Sequence, residues 1–236
     1  VGADYYLTWI EEEISRIEKE KVVFATDGRT ITAAKGRILH NKIAGITAKK
    51  AIFRADLDLV GNIWEDRPEP AYRPIFEHEL KYTGYDRKEK LAQVRKGLED
   101  KGADCTIVGT MEGVVWLTNM RGQDIVNPLF MSHVLVTPET AKLFARLAMI
   151  PEELQEKLKD DGYELCEIEE IGHEMSKLKA DNVVYYDEFR INYQLYSFIP
   201  PHTKKVQGFD LVNDLKAIKN PVEIQNFIHT NALESA

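Results

Sequence analysis

The sequence predicts an α/β protein in two units, and three observations carry that prediction. Short apolar runs of strand length alternate with amphipathic helical stretches along most of the chain. The stretch "RPEPAYRP", residues 67–74, sets three prolines in eight positions, which denies the backbone both helical geometry and ladder donors and reads as a linker. The 236 residues exceed one typical domain of about 100 to 150, and 44% apolar content supplies core for two modest ones.

The first unit opens on "DYYLTWIEEEISRIEKE", where Tyr6, Trp9, Ile10, Ile14 and Ile17 recur every three or four residues among charges, the spacing of an amphipathic helix. "VVFA" at 22–25 is a strand entering a turn at Asp27-Gly28, and a second helix fits from Thr32 to Lys42. Ile46 to Phe53 reads as another strand, and "DLVGNIWED" as a short helix starting at Asp58.

Beyond the linker the signals sharpen. In "DRKEKLAQVRKGLEDKG" the apolar positions Leu91, Val94 and Leu98 mark a helix face, Asp86 caps its start and Gly102 closes it in a left-handed turn. "DCTIVG" is a buried strand, "MEGVVWLTNM" a short helix, "SHVLVT" a strand and "AKLFA" a further one. "PEELQEKLKDDG" is a helix opened by Pro151, "YELCEI" a strand, "IEEIGHEMSKLKA" helical, "NVVYYD" a strand and "INYQLYSFI" a helix. Such alternation calls for a largely parallel or mixed sheet with helices on its faces. The chain ends on "KNPVEIQNFIHTNALESA", where Asn220, Pro221 and Glu223 announce a helix whose apolar stripe of Ile224, Phe227, Ile228 and Leu233 needs a surface to cover.

Charge narrows the function classes. With 31 basic and 39 acidic residues the net charge is −8, and no stripe gathers Lys and Arg, so nucleic acid is not an expected partner. Cys105 and Cys166 lie among strand-forming residues and are expected to be reduced, as in a cytoplasmic protein. No apolar run approaches the roughly 18 residues of a membrane span, so no membrane partner is expected.

Motifs for the common chemistries are missing. "EEIGHEMSK" sets Glu169 and Glu170 four and three residues before His173 on one helical face, yet Lys177 stands where HExxH requires its second histidine, so a solvated face is expected rather than a metal site. His40, His78, His133, His202 and His229 are scattered singly, and Glu11 to Glu13 form a charge run suited to solubility. No GxGxxG follows a strand, and neither a Walker-type loop nor a GxSxG elbow is present.

One segment holds more polar capacity than a connector needs. "WLTNMRGQDIVNPLF", residues 116–130, joins a guanidinium fork (Arg121), a glycine (Gly122), a carboxylate (Asp124) and an Asn127-Pro128 turn beneath Trp116. In one reading Arg121 pairs with Asp124 and holds the next strand in register. In the other the loop is the rim of a ligand site.

That segment, with "NIWEDRPEP" at 62–70 and "DLKAIKNPVEIQNF" at 214–227, resembles in order and spacing the three-domain Xaa-Pro aminopeptidases, over essentially the whole chain. The resemblance implies two domains of the creatinase/prolidase N-terminal type with mixed sheets flanked by helices. Residues 1–66 would be the C-terminal part of a first, incomplete domain, 67–81 a linker, 82–218 a second domain, and 219–236 the first helix of a catalytic "pita-bread" domain beyond the chain. It implies a hydrolase that removes the N-terminal residue before proline, acting on peptide substrates with two divalent ions, usually manganese, held in that further domain. No catalytic or metal residue is therefore assigned within this chain, which by itself is expected to be inactive. The implied roles of these domains are subunit contacts in a homodimer or other homo-oligomer and gating of the substrate, with Trp116, Arg121 and Asp124 on the substrate rim. The alternative is an interaction module of a pita-bread protein that has lost its metals and binds protein partners.

Overall fold

Chain contacts divide the protein into two units, Val1–Pro70 with Glu188–Phe198, and Ala71–Asp187 with Ile199–Ala236. A computed structural model describes residues 5–47, 49–68, 72–123 and 127–235.

In the first unit, α1 (Tyr5–Arg16) buries Ile10 and Ile14 and leaves Trp9 exposed, and Ile17, just past its end, is exposed as well. β1 (Lys21–Ala25) and, after α2 (Ala33–Ala44), β2 (Lys50–Arg54) pair in parallel. The core is Ile10, Ile14, Val22, Leu39, Ile43 and Ile46. Thr32 caps α2 by accepting from Lys35 N, and Asp58 caps α3 (Leu59–Ile63) by accepting from Gly61 N. The strand expected over 46–53 is shorter, because Gly45 closes α2 and Thr47 lies in a turn before β2 begins. The return segment is held by backbone bonds: Ile191 O accepts from Ala33 N at 2.9 Å, and Tyr193 N donates to Ile31 O at 2.9 Å. The helix Tyr193–Phe198 follows, and a Cβ on Gly36 would fall 2.0 Å from the Tyr193 ring, so α2 requires glycine where that ring lies.

The first elements of the second unit are β3 (Phe76–Glu77) and the single turn α4 (Leu80–Thr83). α5 (Arg87–Asp100) carries the expected cap as a full capping box between Asp86 and Glu89, and Gly102 adopts φ 62° after its end. Then come β4 (Cys105–Val108), α6 (Met111–Leu117), β5 (Met120–Arg121), β6 (Ser132–Val136) and β7 (Ala141–Ala145). α7 (Glu152–Asp160), β8 (Tyr163–Glu167), α8 (Ile171–Ser176) and β9 (Val183–Tyr186) follow. The segment Tyr193–Phe198 counts as α9, and β10 (Lys204–Gln207), α10 (Leu211–Ala217) and α11 (Pro221–Glu234) complete the chain. The helix expected over 168–180 is interrupted. A 3-10 turn covers Ile168–Glu170, and α8 ends at Ser176, after which the Asn182 side chain accepts from Lys179 N at 2.8 Å.

Six strands form one sheet in the order β10-β9-β4-β6-β7-β8. β10, β9 and β4 run parallel, β6 is antiparallel to both its neighbours, and β7 and β8 are parallel again. The sheet is thus mixed. β4 and β6 are buried at every position, as central strands covered on both faces must be. Leu91, Val94 and Leu98 of α5 pack with Val114 and Leu117 of α6 and with Val134 and Leu143 of the sheet in one core.

Candidate functional site

The described residues of the segment 116–130 come from a helix end, a turn and a short strand. Trp116 lies in the last turn of α6, Asn119 turns the chain with a left-handed φ of 49°, and β5 pairs antiparallel with β3 through Phe76 with Arg121 and Glu77 with Met120. Gly122 N then donates to Pro128 O at 2.9 Å, and a Cβ at Gly122 would meet Leu129 O at 2.0 Å. Glycine is needed there because two backbone segments touch. Asp124 lies outside the described residues.

Trp116 is buried, and its indole Nε1 donates to Glu223 Oε1 of α11 at 3.2 Å. Arg121 is half-buried, and its Nη1 donates to the carbonyls of Val115 and Met120, each at 2.8 Å. Burial pulls the Arg121 pKa below its ordinary value. Trp116 and Arg121 thus share one place, a cleft of about 470 Å³ in the second unit.

The sequence reading did not single out the residue beneath them. Lys90 of α5 is 1% exposed, and its Nζ donates to Trp116 O at 2.9 Å and Asn119 Oδ1 at 2.6 Å while lying 4.3 Å from the Trp116 ring centroid. Desolvation, helped by the positive charges of Arg121 and Arg87 and opposed by Glu223, brings its pKa down to about 8. A signal existed: Arg87, Lys90, Leu91, Val94 and Leu98 fall on one helical stripe, and all five are buried. Arg87 meets its burial with Glu77 at 2.6 Å and Asp161 at 2.9 Å.

Tyr82 and Phe227 add aromatic walls to the cleft, and His78 and Lys219 add polar ones. His78 stacks on Tyr82 at 5.4 Å. Burial first, then the charges of Arg121 and Lys90, lowers the His78 pKa to about 4, so the imidazole is neutral at pH 7. Glu223 serves two partners at once, since Oε1 accepts from the indole and Oε2 accepts from Asn220 N at 3.0 Å within the capping box of α11.

Among the described residues the acids and imidazoles do not fit a metal. Glu170 accepts from Glu167 N at 2.8 Å, His173 is exposed on α8, and the buried His133 keeps an Nδ1 with no hydrogen-bond partner among the described residues. Among the described residues, no group of three or more His, Cys, Asp or Glu is placed to hold a metal ion, so no metal-assisted step is derived from them. No helix among these residues is long and apolar enough to cross a membrane.

These features define an α/β module with a mixed six-stranded sheet and a cationic, aromatic cleft. The chain belongs to the creatinase/prolidase N-terminal domain family, which matches residues 66–223. It is 31% identical over 221 residues to a probable Xaa-Pro aminopeptidase P of Leptosphaeria maculans, covering 89% of this chain and 36% of that protein. To Xaa-Pro aminopeptidase ApepP of Drosophila melanogaster it is 30% identical, covering 74% of this chain and 29% of that one. The fold matches that of the X-prolyl aminopeptidase from Caenorhabditis elegans, described as a cytosolic enzyme with a di-nuclear active site, with a TM-score of 0.80 at 23% identity over 92% of this chain and 36% of the other. The chain thus spans about a third of the length of the curated relatives it matches, 36% and 29% of the two named.

Proposed function

We propose that this chain is the non-catalytic N-terminal part of a metal-dependent Xaa-Pro aminopeptidase, which removes the N-terminal residue of peptides that carry proline second. The observation that carries the reading is the similarity to Xaa-Pro aminopeptidase P along 89% of the chain. On this reading the hydrolytic centre, with two divalent ions, manganese by preference, is held by residues outside 1–236. The enzyme works in the cytoplasm as a homodimer, and the domains described above supply subunit contacts and narrow the approach to the metals.

Within this reading Trp116, Arg121 and Asp124 lie on the substrate rim. The burial of Arg121 without a carboxylate partner among the described residues supports this, because a guanidinium fork facing a cleft is suited to a polar substrate group. The test is kinetic. In the full-length enzyme, Arg121→Ala is expected to lower kcat/KM on Xaa-Pro peptides with chain folding intact, and Asp124→Asn to do so to a smaller degree. Unchanged kinetics on short and long peptides would remove both residues from the rim. A full-length protein that fails to cleave any Xaa-Pro peptide with added manganese would replace the enzyme reading with that of a protein-binding module.

A further inference from the structure

Three cations face the cleft of the second unit, and none has a carboxylate partner among the described residues. Lys90 donates to a carbonyl and an amide oxygen, Arg121 to two carbonyls, and Lys219 to the carbonyl of Lys216. Glu223, the acid on the wall, is engaged by the Trp116 indole and by its own helix cap. Elsewhere in this unit the buried Arg87 is paired with Glu77 and Asp161 and the half-buried Lys142 with Glu164 and Glu174, while Arg95, outside the cleft lining, donates to the Thr137 carbonyl. Lys90 and Arg121 are desolvated and Lys219 is half-buried, and Glu223, the one carboxylate among the described lining residues, does not balance three positive charges, so the cleft is complementary to a further anion. Arg121 directs only Nη1 at the protein, leaving Nε and Nη2 of a planar fork without a hydrogen-bond partner among the described residues. The remaining surface is aromatic, with Tyr82 and Phe227 both exposed beside the buried Trp116.

We propose that this cleft binds a carboxylate carried on an apolar body, namely the C-terminus of a short peptide ending in an apolar residue, with Arg121 and Lys219 taking the carboxylate and Tyr82, Trp116 and Phe227 holding the side chain. The volume, about 470 Å³, lies in the range that encloses a small ligand. The proposal gives the cleft a ligand of its own and deepens the rim reading, while its test does not require the parent protein to be a peptidase.

The test is isothermal titration of the 236-residue chain with the dipeptide Gly-Phe, its C-terminal amide, and 3-phenylpropionate. Saturable binding of Gly-Phe is expected, with the amide at least about tenfold weaker, since it forfeits the charge-assisted bonds. Arg121→Gln is expected to cost Gly-Phe about tenfold and to leave the amide unchanged. Lys219→Gln gives the same readout should Arg121→Gln fold poorly. Phe227→Ala, at an exposed position, is expected to weaken acid and amide alike. Equal affinity for acid and amide, or no saturable binding up to millimolar concentration, overturns the proposal. Tighter binding of 3-phenylpropionate than of Gly-Phe overturns the peptide assignment in favour of a free carboxylic acid. Loss of peptidase activity from the full-length protein, by contrast, bears on the proposed function and leaves these titrations standing.

Discussion

Replacing Lys90 with methionine removes a buried charge while keeping the length of the side chain, and the structure fixes how the effect depends on pH. The ammonium of the folded protein has a pKa of about 8 against an ordinary 10.5. The gap corresponds to about 3 kcal/mol by which burial of the charged form weighs against folding. Below pH 8 both folded and unfolded chains hold the proton, and this cost is fully present. Between about 8 and 10.5 the unfolded chain binds more protons than the folded one, so stability gains from Lys90 as pH rises, and above 10.5 the cost is gone. Lys90→Met escapes the cost at every pH but leaves Trp116 O and Asn119 Oδ1 without their donor, at about 1–3 kcal/mol each. Near neutral pH the two terms largely offset, and the variant is expected to lie within about 3 kcal/mol of the parent. As pH climbs past 8 the parent improves and the variant does not, so their difference widens by about 3 kcal/mol. Urea denaturation of both proteins from about pH 7 to about pH 11 measures this difference. Subtraction cancels Cys105 and Tyr163, whose raised pKa values act in the opposite sense in both proteins. A difference that stays flat across that range would refute the claim that Lys90 is held charged against its burial.

Two further substitutions test the frame around the cleft. Gly122→Ala places a methyl group against the Leu129 carbonyl and is expected to cost about 1–3 kcal/mol and to speed amide exchange at Met120 and Arg121 as β5 leaves β3; unchanged exchange would show that the strands do not depend on this approach. Asn220→Ala removes the cap of α11 and the 2.8 Å bond from Asn220 Nδ2 to Thr83 O, for an expected loss of about 2–3 kcal/mol, whereas Asn220→Asp keeps the cap and recovers about half; equal losses in the two variants would deny the cap its part.

The sequence disclosed most where local chemistry decides the structure. Asp86, Glu89 and Gly102 bound α5, and Asn220, Pro221 and Glu223 start α11, because caps and turns are settled within a few residues. β3 and β5 stayed hidden because each has two residues and exists only through pairing with the other across more than forty positions. β10 and α10 likewise went unread: the strand, "KKVQ", has a single apolar residue, and its pairing partner is β9. In the site, Trp116 and Arg121 drew notice as an aromatic and a fork within a polar loop, and they do meet in one cleft. Lys90 was passed over because a lysine in a helix rich in lysine and glutamate reads as solvent-facing, although its place on the Leu91 and Val94 stripe argued otherwise. The engagement of Trp116 by Glu223, more than one hundred positions apart, is a tertiary fact that no periodicity encodes.

That same pair explains why α11 holds its place without a hydrophobic footing. The fourteen-residue helix has no buried side chain, and Ile224, Phe227, Ile228 and Leu233 are all exposed. A helix of that length is marginal by itself, so its first two turns must be secured by other means. Four polar bonds do so: Asn220 Nδ2 to Thr83 O, Asn220 N to Glu223, Trp116 Nε1 to Glu223, and Asn226 Nδ2 to Tyr82 O. Two of these end on the Glu223 carboxylate, which also offsets the charge of Lys90. Start of helix, indole and buried ammonium are therefore one electrostatic assembly. An anion entering the cleft would add its charge to that of Glu223 and favour the charged form of Lys90. The occupancy of the cleft and the protonation of Lys90 are thus linked, each favouring the other.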